Sequence, residues 1–215
     1  LAIPFAENDF VKNVHCKVFH LGANISFRFL LKIKLNNNLR NIITIILMNP
    51  SRATATKSDP TIDNIISFFF SKKYAGEIRV LNLFPFYASD ANKLGELLEK
   101  CKATYGKKYY KILYLNNKLI EKHLDISERV VCAWGGRPSM LKHQQMNYNI
   151  QRQAVHDVFN STNQANVYAT CMHTSEDKPY SSLLTNKKNP RHYAYNVKPQ
   201  CLKCYEVPKN FGFRW

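Results

Sequence analysis

The chain has 215 residues, of which 45% are hydrophobic and 21% charged, so it is long enough for one substantial core and excludes a disordered composition. Thirty-one Lys and Arg against fifteen Asp and Glu leave a formal charge of +16, far more than solubility requires, so a polyanion is the expected partner. No stretch offers the roughly 18 to 20 apolar residues that a membrane span needs, which excludes a spanning role.

In chain order, residues 1–12 read as an irregular arm, and Cys16 to His20 and Ile25 to Leu35 alternate in the period-2 manner of strands. Asn36-Asn37-Asn38 reads as a turn that closes a hairpin between Phe27 to Leu35 and the next strand. Asn41 to Met48 is a β-branched run without polar interruption on either face, as expected for a strand inside a mostly parallel sheet. Helical spacing marks Thr61 to Lys73, Asn92 to Lys100, Tyr109 to His123 and Met140 to Phe159; short apolar strands are expected at Ile78 to Leu83, Arg129 to Trp134 and Asn166 to Cys171. This alternation predicts a single α/β domain over residues 1–215, a three-layer α/β/α sandwich around a mostly parallel sheet. In such folds ligands sit outside the carboxyl ends of the strands, which directs attention to 48–60, 82–90, 135–139 and 172–196.

The first of these loops, with Met48, Asn49, Pro50, Ser51 and Arg52, sets a side-chain amide at the exit of a buried strand. That amide either orients a water or a base edge, or satisfies the turn that Asn-Pro starts. Asp59 stands before Pro60 as an N-cap would, so capping competes with chemistry there. The second loop places Asn82 beside Phe84 and Phe86; amide plus aromatics is what reading an extruded base requires, and core packing is the alternative for both rings. The last loop carries Lys187, Lys188, Arg191 and His192: three cations suited to phosphates, and a histidine that either steadies developing charge or lies exposed in a solvated loop.

Other chemistries lack their residues. There is no phosphate-binding Gly-x-x-x-x-Gly-Lys loop, no Gly-x-Ser-x-Gly elbow and no His-Glu-x-x-His helix. Cys201 and Cys204 form one Cys-x-x-Cys pair without a second, so ordinary thiols are expected rather than a metal, unless Cys171 or His173 completes a site. No cofactor is called for. With no charged-then-apolar leader in the sequence as given, a cytoplasmic location is expected, as a monomer without an obligate protein partner.

Taken in order, Leu47-Met48-Asn49-Pro50-Ser51, Ser58-Asp59-Pro60-Thr61, Val80-Leu81-Asn82-Leu83-Phe84, Val131-Cys132-Ala133-Trp134-Gly135 and Asn189-Pro190-Arg191-His192 resemble the prokaryotic and phage family DUF1643. The layout also resembles the uracil-DNA glycosylase superfamily, especially its mismatch-specific branch. That resemblance implies a glycosylase-like fold with Asn49 holding the attacking water, Asn82 near the base, and the loop from Asn189 to His192 gripping DNA and the extruded nucleotide.

The function expected is therefore excision of an altered or modified base from DNA, by hydrolysis of its N-glycosidic bond, in repair or in defence against phage. Asn49, Asp59 and His192 are the expected catalytic residues; Met48, Pro50, Ser51, Asn82, Phe84 and Phe86 are expected around the base. Arg52, Lys187, Lys188 and Arg191 are expected on the DNA backbone. A non-catalytic protein using the same basic face to bind nucleic acid is the rival. A hydrolase of small nucleosides fits less well, since a small substrate gives little reason for a charge of +16.

Overall fold

A computed structural model of the chain describes residues 4–136, 140, 142–162, 167–172 and 202–206. The strands are β1 (Val11–Cys16), β2 (Phe19–Leu21), β3 (Ile25–Phe27), β4 (Leu31–Leu35), β5 (Ile42–Leu47), β6 (Glu77–Asn82), β7 (Arg129–Cys132), β8 (Val167–Met172) and β9 (Leu202–Glu206). The helices are α1 (Pro60–Ser71), α2 (Leu94–Tyr105), α3 (Lys107–Asp125) and α4 (Lys142–Ser161). Seven strands form one sheet in the order β1-β4-β6-β5-β7-β8-β9, and β2 and β3 make a separate small hairpin. Strands β6, β5, β7 and β8 run parallel, and antiparallel pairs close both sides. The fold is mixed α/β, with a mostly parallel central sheet and four helices among the described residues.

Alternation along the strands sorts the core into two clusters. Ile43, Ile45 and Leu47 of β5 pack with Ile78 and Val80 of β6, Val131 of β7, and Ile62, Ile65, Ile66 and Phe69 of α1. The intervening side chains Ile46, Leu81, Val130 and Cys132 pack instead with Leu98 of α2, Ile120 and Leu124 of α3, and Val155 of α4. Because successive strand side chains point to opposite faces, an all-apolar β5 feeds both clusters. The expectation of a strand covered on two sides holds there.

The hairpin expected at Asn36 to Asn38 does not form between β4 and β5. Strand β6 lies between them, pairing antiparallel with β4 (Leu31 opposite Val80) and parallel with β5 (Ile45 beside Val80). The Asn triplet is tied instead to the turn that leads into β6: Asn37 Nδ2 donates to Ala75 O at 3.0 Å, and Leu35 N donates to Gly76 O at 2.9 Å. Gly76 permits this approach, since a Cβ there would stand 1.9 Å from Leu39 O.

Two more expectations need revision. The arm is not wholly irregular: Phe5–Glu7 form a short 3-10 helix, Phe5 is buried and donates from its backbone to Thr56 O at 3.0 Å, and β1 begins at Val11. The run from Ile25 to Leu35 is also broken, with β3 ending at Phe27 and β4 starting at Leu31. That interruption frees Arg28 from the alternation of a strand.

The connections position the site. From β5 the chain passes through α1 to β6 on one side, then through α2 and α3 to β7 on the other, so the order reverses at β5. The loops leaving β5 and β6 therefore meet at the carboxyl edge near a reversal of direction, where open α/β sheets hold their ligands.

Candidate functional site

The loop after β5 is held by polar contacts at both ends. Backbone bonds Leu83 N to Leu47 O (2.8 Å), Phe84 N to Met48 O (2.9 Å) and Ala88 N to Pro50 O (3.0 Å) zip it to the loop after β6. Asn49 joins them: its amide nitrogen donates to Pro50 O at 2.9 Å and to Ala88 O at 2.8 Å. Both hydrogens of that nitrogen are thereby used, so the orientation is fixed and the carbonyl oxygen is what Asn49 has left to offer.

Asp59 is 4% exposed. One carboxylate oxygen accepts from Ile62 N at 3.0 Å and so caps α1, while the other accepts from Arg52 N and Ala53 N, each at 3.2 Å. The capping role anticipated for Asp59 is present, and it extends to pinning the loop backbone. Ser58 Oγ donates to the carboxylate of Asp63, whose affinity for its proton is raised by burial and by the neighbouring Asp59 charge.

These groups surround a cavity of about 190 Å³. Its walls are Arg28, Leu47, Asn49, Ser51 and Asp59, then Thr61 and Ile62 from the start of α1, with Ala88 and Ser89 from the loop after β6. That volume lies below the roughly 300–1,000 Å³ of sites for drug-sized ligands, and suits one small ring or one compact polar group. Arg28, with only 2% of its surface exposed, donates from an Nη to Ala53 O at 2.8 Å, and its guanidinium lies 5.6 Å from the centre of the Tyr87 ring. Tyr87 donates to the same carbonyl at 2.8 Å, and burial pushes its phenol up to about 12 against the lowering pull of Arg28.

Asn82, last residue of β6, is wholly buried, and neither amide atom has a hydrogen-bond partner among the described residues. It is in register with Leu47, so its side chain shares the sheet face of that cavity wall. The two rings expected beside it are committed elsewhere: Phe84 stacks on Tyr148 at 5.7 Å and Phe86 on Tyr109 at 5.7 Å, all four inside the core. Met48 is buried in the same core, Pro50 is buried without lining the cavity, Ser51 lines it, and Arg52 is exposed on the loop. Lys187, Lys188, Arg191 and His192 lie outside the described residues, as do Cys201 and His173. Cys204 falls in β9 opposite Thr170, in a strand the sequence did not announce, and the described residues hold no cluster of three or more metal-binding side chains.

Two features escaped the sequence reading. One is Arg28, a lone basic residue between Phe27 and Phe29. The other is α3, which exposes Lys107, Lys111, Lys118 and Lys122 in line with Tyr110 (53% exposed) and Tyr114 (61%). Asn116 of α3 donates to Asn82 O at 3.0 Å, at the carboxyl end of β6, and the helix ends beside the start of β7. Its first turns therefore project past the edge that holds the cavity.

The profile of a family described as "Protein of unknown function (DUF1643)" matches residues 28–192. The chain belongs to the DUF1643 family. No curated protein and no solved structure matches it. The matched span of this DUF1643 chain opens at Arg28, takes in every residue lining the cavity and closes at His192. No helix among its described residues is long and apolar enough to cross a membrane.

Proposed function

We propose that this DUF1643 protein is a DNA N-glycosylase, built as a three-layer α/β/α sandwich of the uracil-DNA glycosylase kind, that extrudes an altered or modified base and hydrolyses its bond to the sugar. The observation that carries the reading is a fixed amide in the cavity wall, Asn49, with a second amide, Asn82, buried behind that wall and not lining it. Asn49 is locked with its carbonyl oxygen left over, and Asn82 lies on the same sheet face with a buried donor and acceptor both unused. A buried amide without partners is costly, and a pyrimidine edge offers the matching acceptor and donor. Asn49 Oδ1 orients a water toward the anomeric carbon, and the bond breaks through an oxocarbenium-like state while negative charge gathers on the leaving base.

Asp59 acts in this reading through the backbone it holds, since three N–H groups already occupy its oxygens. Phe84 and Phe86 shape the loop from within the core. Arg52 and the projecting turns of α3 supply cations for the phosphates in this reading, and Lys187, Lys188, Arg191 and His192, outside the described residues, keep the roles expected from the sequence, the three cations for phosphate and the histidine for the leaving base. The net charge of +16 supplies the phosphate attraction against which unstacking a base is set, at a cost of about a few kcal/mol. The test is incubation with duplex and single-stranded DNAs that each contain one candidate base, scored for abasic sites. Release of at least one base supports the reading; binding without release from any DNA replaces it with the non-catalytic nucleic-acid binder.

A further inference from the structure

Arg28 is the least compensated charge at the cavity. It is 2% exposed, and among the described residues its Nε has no hydrogen-bond partner and none of the ion pairs involves it. Among the described residues its guanidinium donates to Ala53 O at 2.8 Å and has the Tyr87 hydroxyl and the Cys16 thiol as further polar neighbours, neither of which brings a counter-charge. An arginine cannot relieve this by releasing its proton, and a buried guanidinium without a counter-charge is costly to keep.

The neighbouring groups do not answer the charge. The Cys16 thiol and the Tyr87 hydroxyl lie within reach of the guanidinium but bring it no negative charge, since burial strengthens the hold of each on its proton against the lowering pull of Arg28. Asp59 shares the cavity, but its carboxylate is already matched by three backbone N–H groups, one of them at the positive end of α1. The remaining polar wall is Asn49, which has its carbonyl oxygen left over, and Ser51, Thr61 and Ser89, whose hydroxyls are able to donate.

We propose that Arg28 makes this cavity a preformed oxyanion site, in which its unused N–H groups grip one compact oxygen-bearing group. This rests on the cavity being the ligand site proposed above, but not on bond cleavage. Two sources present that chemistry to a DNA-binding protein: a phosphate, and the carbonyl oxygen of a base as it leaves with the bonding electrons. A planar fork of donors in a desolvated wall serves both, since it strengthens as negative charge develops on the oxygen.

Inorganic phosphate is the first probe, with thermal melting and the Arg28 Nε–H resonance as readouts, against chloride of equal ionic strength. The parent should melt higher in phosphate and its Nε–H signal should move. Arg28→Gln should lose most of the phosphate shift and Arg28→Lys should keep part of it, whereas Lys72→Ala, which removes an exposed cation at the carboxyl end of α1, should keep it whole. An unmoved Nε–H signal in the parent, or an undiminished phosphate shift in Arg28→Gln, overturns the proposal, and the parent signal decides the matter even if the variants fail to fold.

DNA then separates the sources. Arg28→Gln with unchanged DNA affinity and base release slowed about 10²-fold assigns the grip to the leaving base. Weakened affinity with a salt slope shallower by about one assigns it to a phosphate. Should the parent release no base, the glycosylase reading fails while the phosphate measurements still stand or fall by themselves.

Discussion

Two arginines at opposite edges of one sheet are treated in opposite ways. Arg79, on the amino half of β6, donates from Nε to Glu77 at 2.7 Å and from an Nη to His123 Nδ1 at 2.9 Å, and Lys32 adds a 3.2 Å bridge to Glu77. Burial pushes the Glu77 carboxyl up, but the hydrogen bonds from Arg79 and Lys32 outweigh it and hold the group below its ordinary range. Burial, then the Arg79 charge, pushes His123 down to about 4, so the ring stays neutral and accepts. Beyond it Ser127 Oγ donates to His123 O at 2.7 Å and meets Thr44 Oγ1 at 2.7 Å. Arg28, on the carboxyl edge, is more deeply buried, and among the described residues it meets a carbonyl, the Tyr87 ring and hydroxyl and the Cys16 thiol, with no ion pair. Where charge is fully answered it serves the fold; where it is left unanswered beside a cavity it is available to a ligand.

The sharpest way to break this contrast is to remove one partner at each edge. Glu77→Ala strands Arg79 and Lys32 and should cost about 3 kcal/mol in urea unfolding, whereas Arg28→Gln should stay within about 1 kcal/mol of the parent. Equal losses would mean that both arginines are structural. Acid sharpens it next. The folded state keeps His123 near 4, below the unfolded value of about 6.5, so its contribution is complete above pH 6.5 and is lost as pH falls toward 4. That window should remove about 3 kcal/mol, and His123→Asn should flatten the profile there; an identical profile in the variant would take His123 out of the account.

Smaller effects test the cavity edge itself. Asp59→Ala should lose about 1 to 2 kcal/mol, and Asp59→Asn, which can still accept from Ile62 N, should lose less. Equal losses would mean that the cap is not what Asp59 supplies. Smallest of all, Arg52→Ala and Lys111→Ala should each shallow the salt dependence of DNA binding by about 0.9, and unchanged slopes would move the DNA path to another face.

Much of the central sheet was legible, because the β-branched run Ile42 to Leu47 and the short apolar segment Ile78 to Leu83 carry strand signals of their own, and their ends fall within a residue of the sequence reading. Pairing was not legible. Nothing local says that β6 inserts beside β4, a choice made by the face-to-face matching of Ile33 with Ile78 and Leu31 with Val80. At the site, Asn49 and Asp59 were found because a strand exit and a cap carry local signals, and both line the cavity. Phe84 and Phe86 were open to two readings, and partners distant in sequence, Tyr148 and Tyr109, took them into the core. Arg28 left no signal at all: one cation among thirty-one becomes distinctive only when tertiary packing buries it without a counter-charge.

If the cavity walled by Asn49 is where a base is excised, single-turnover release by Asn49→Ala will register it. With a DNA that the parent cleaves, the variant should bind with parental affinity and melt as a folded protein, yet release the base about 10² to 10³ times more slowly, as befits the loss of one positioned polar group. Release at the parental rate by a folded Asn49→Ala would contradict the account.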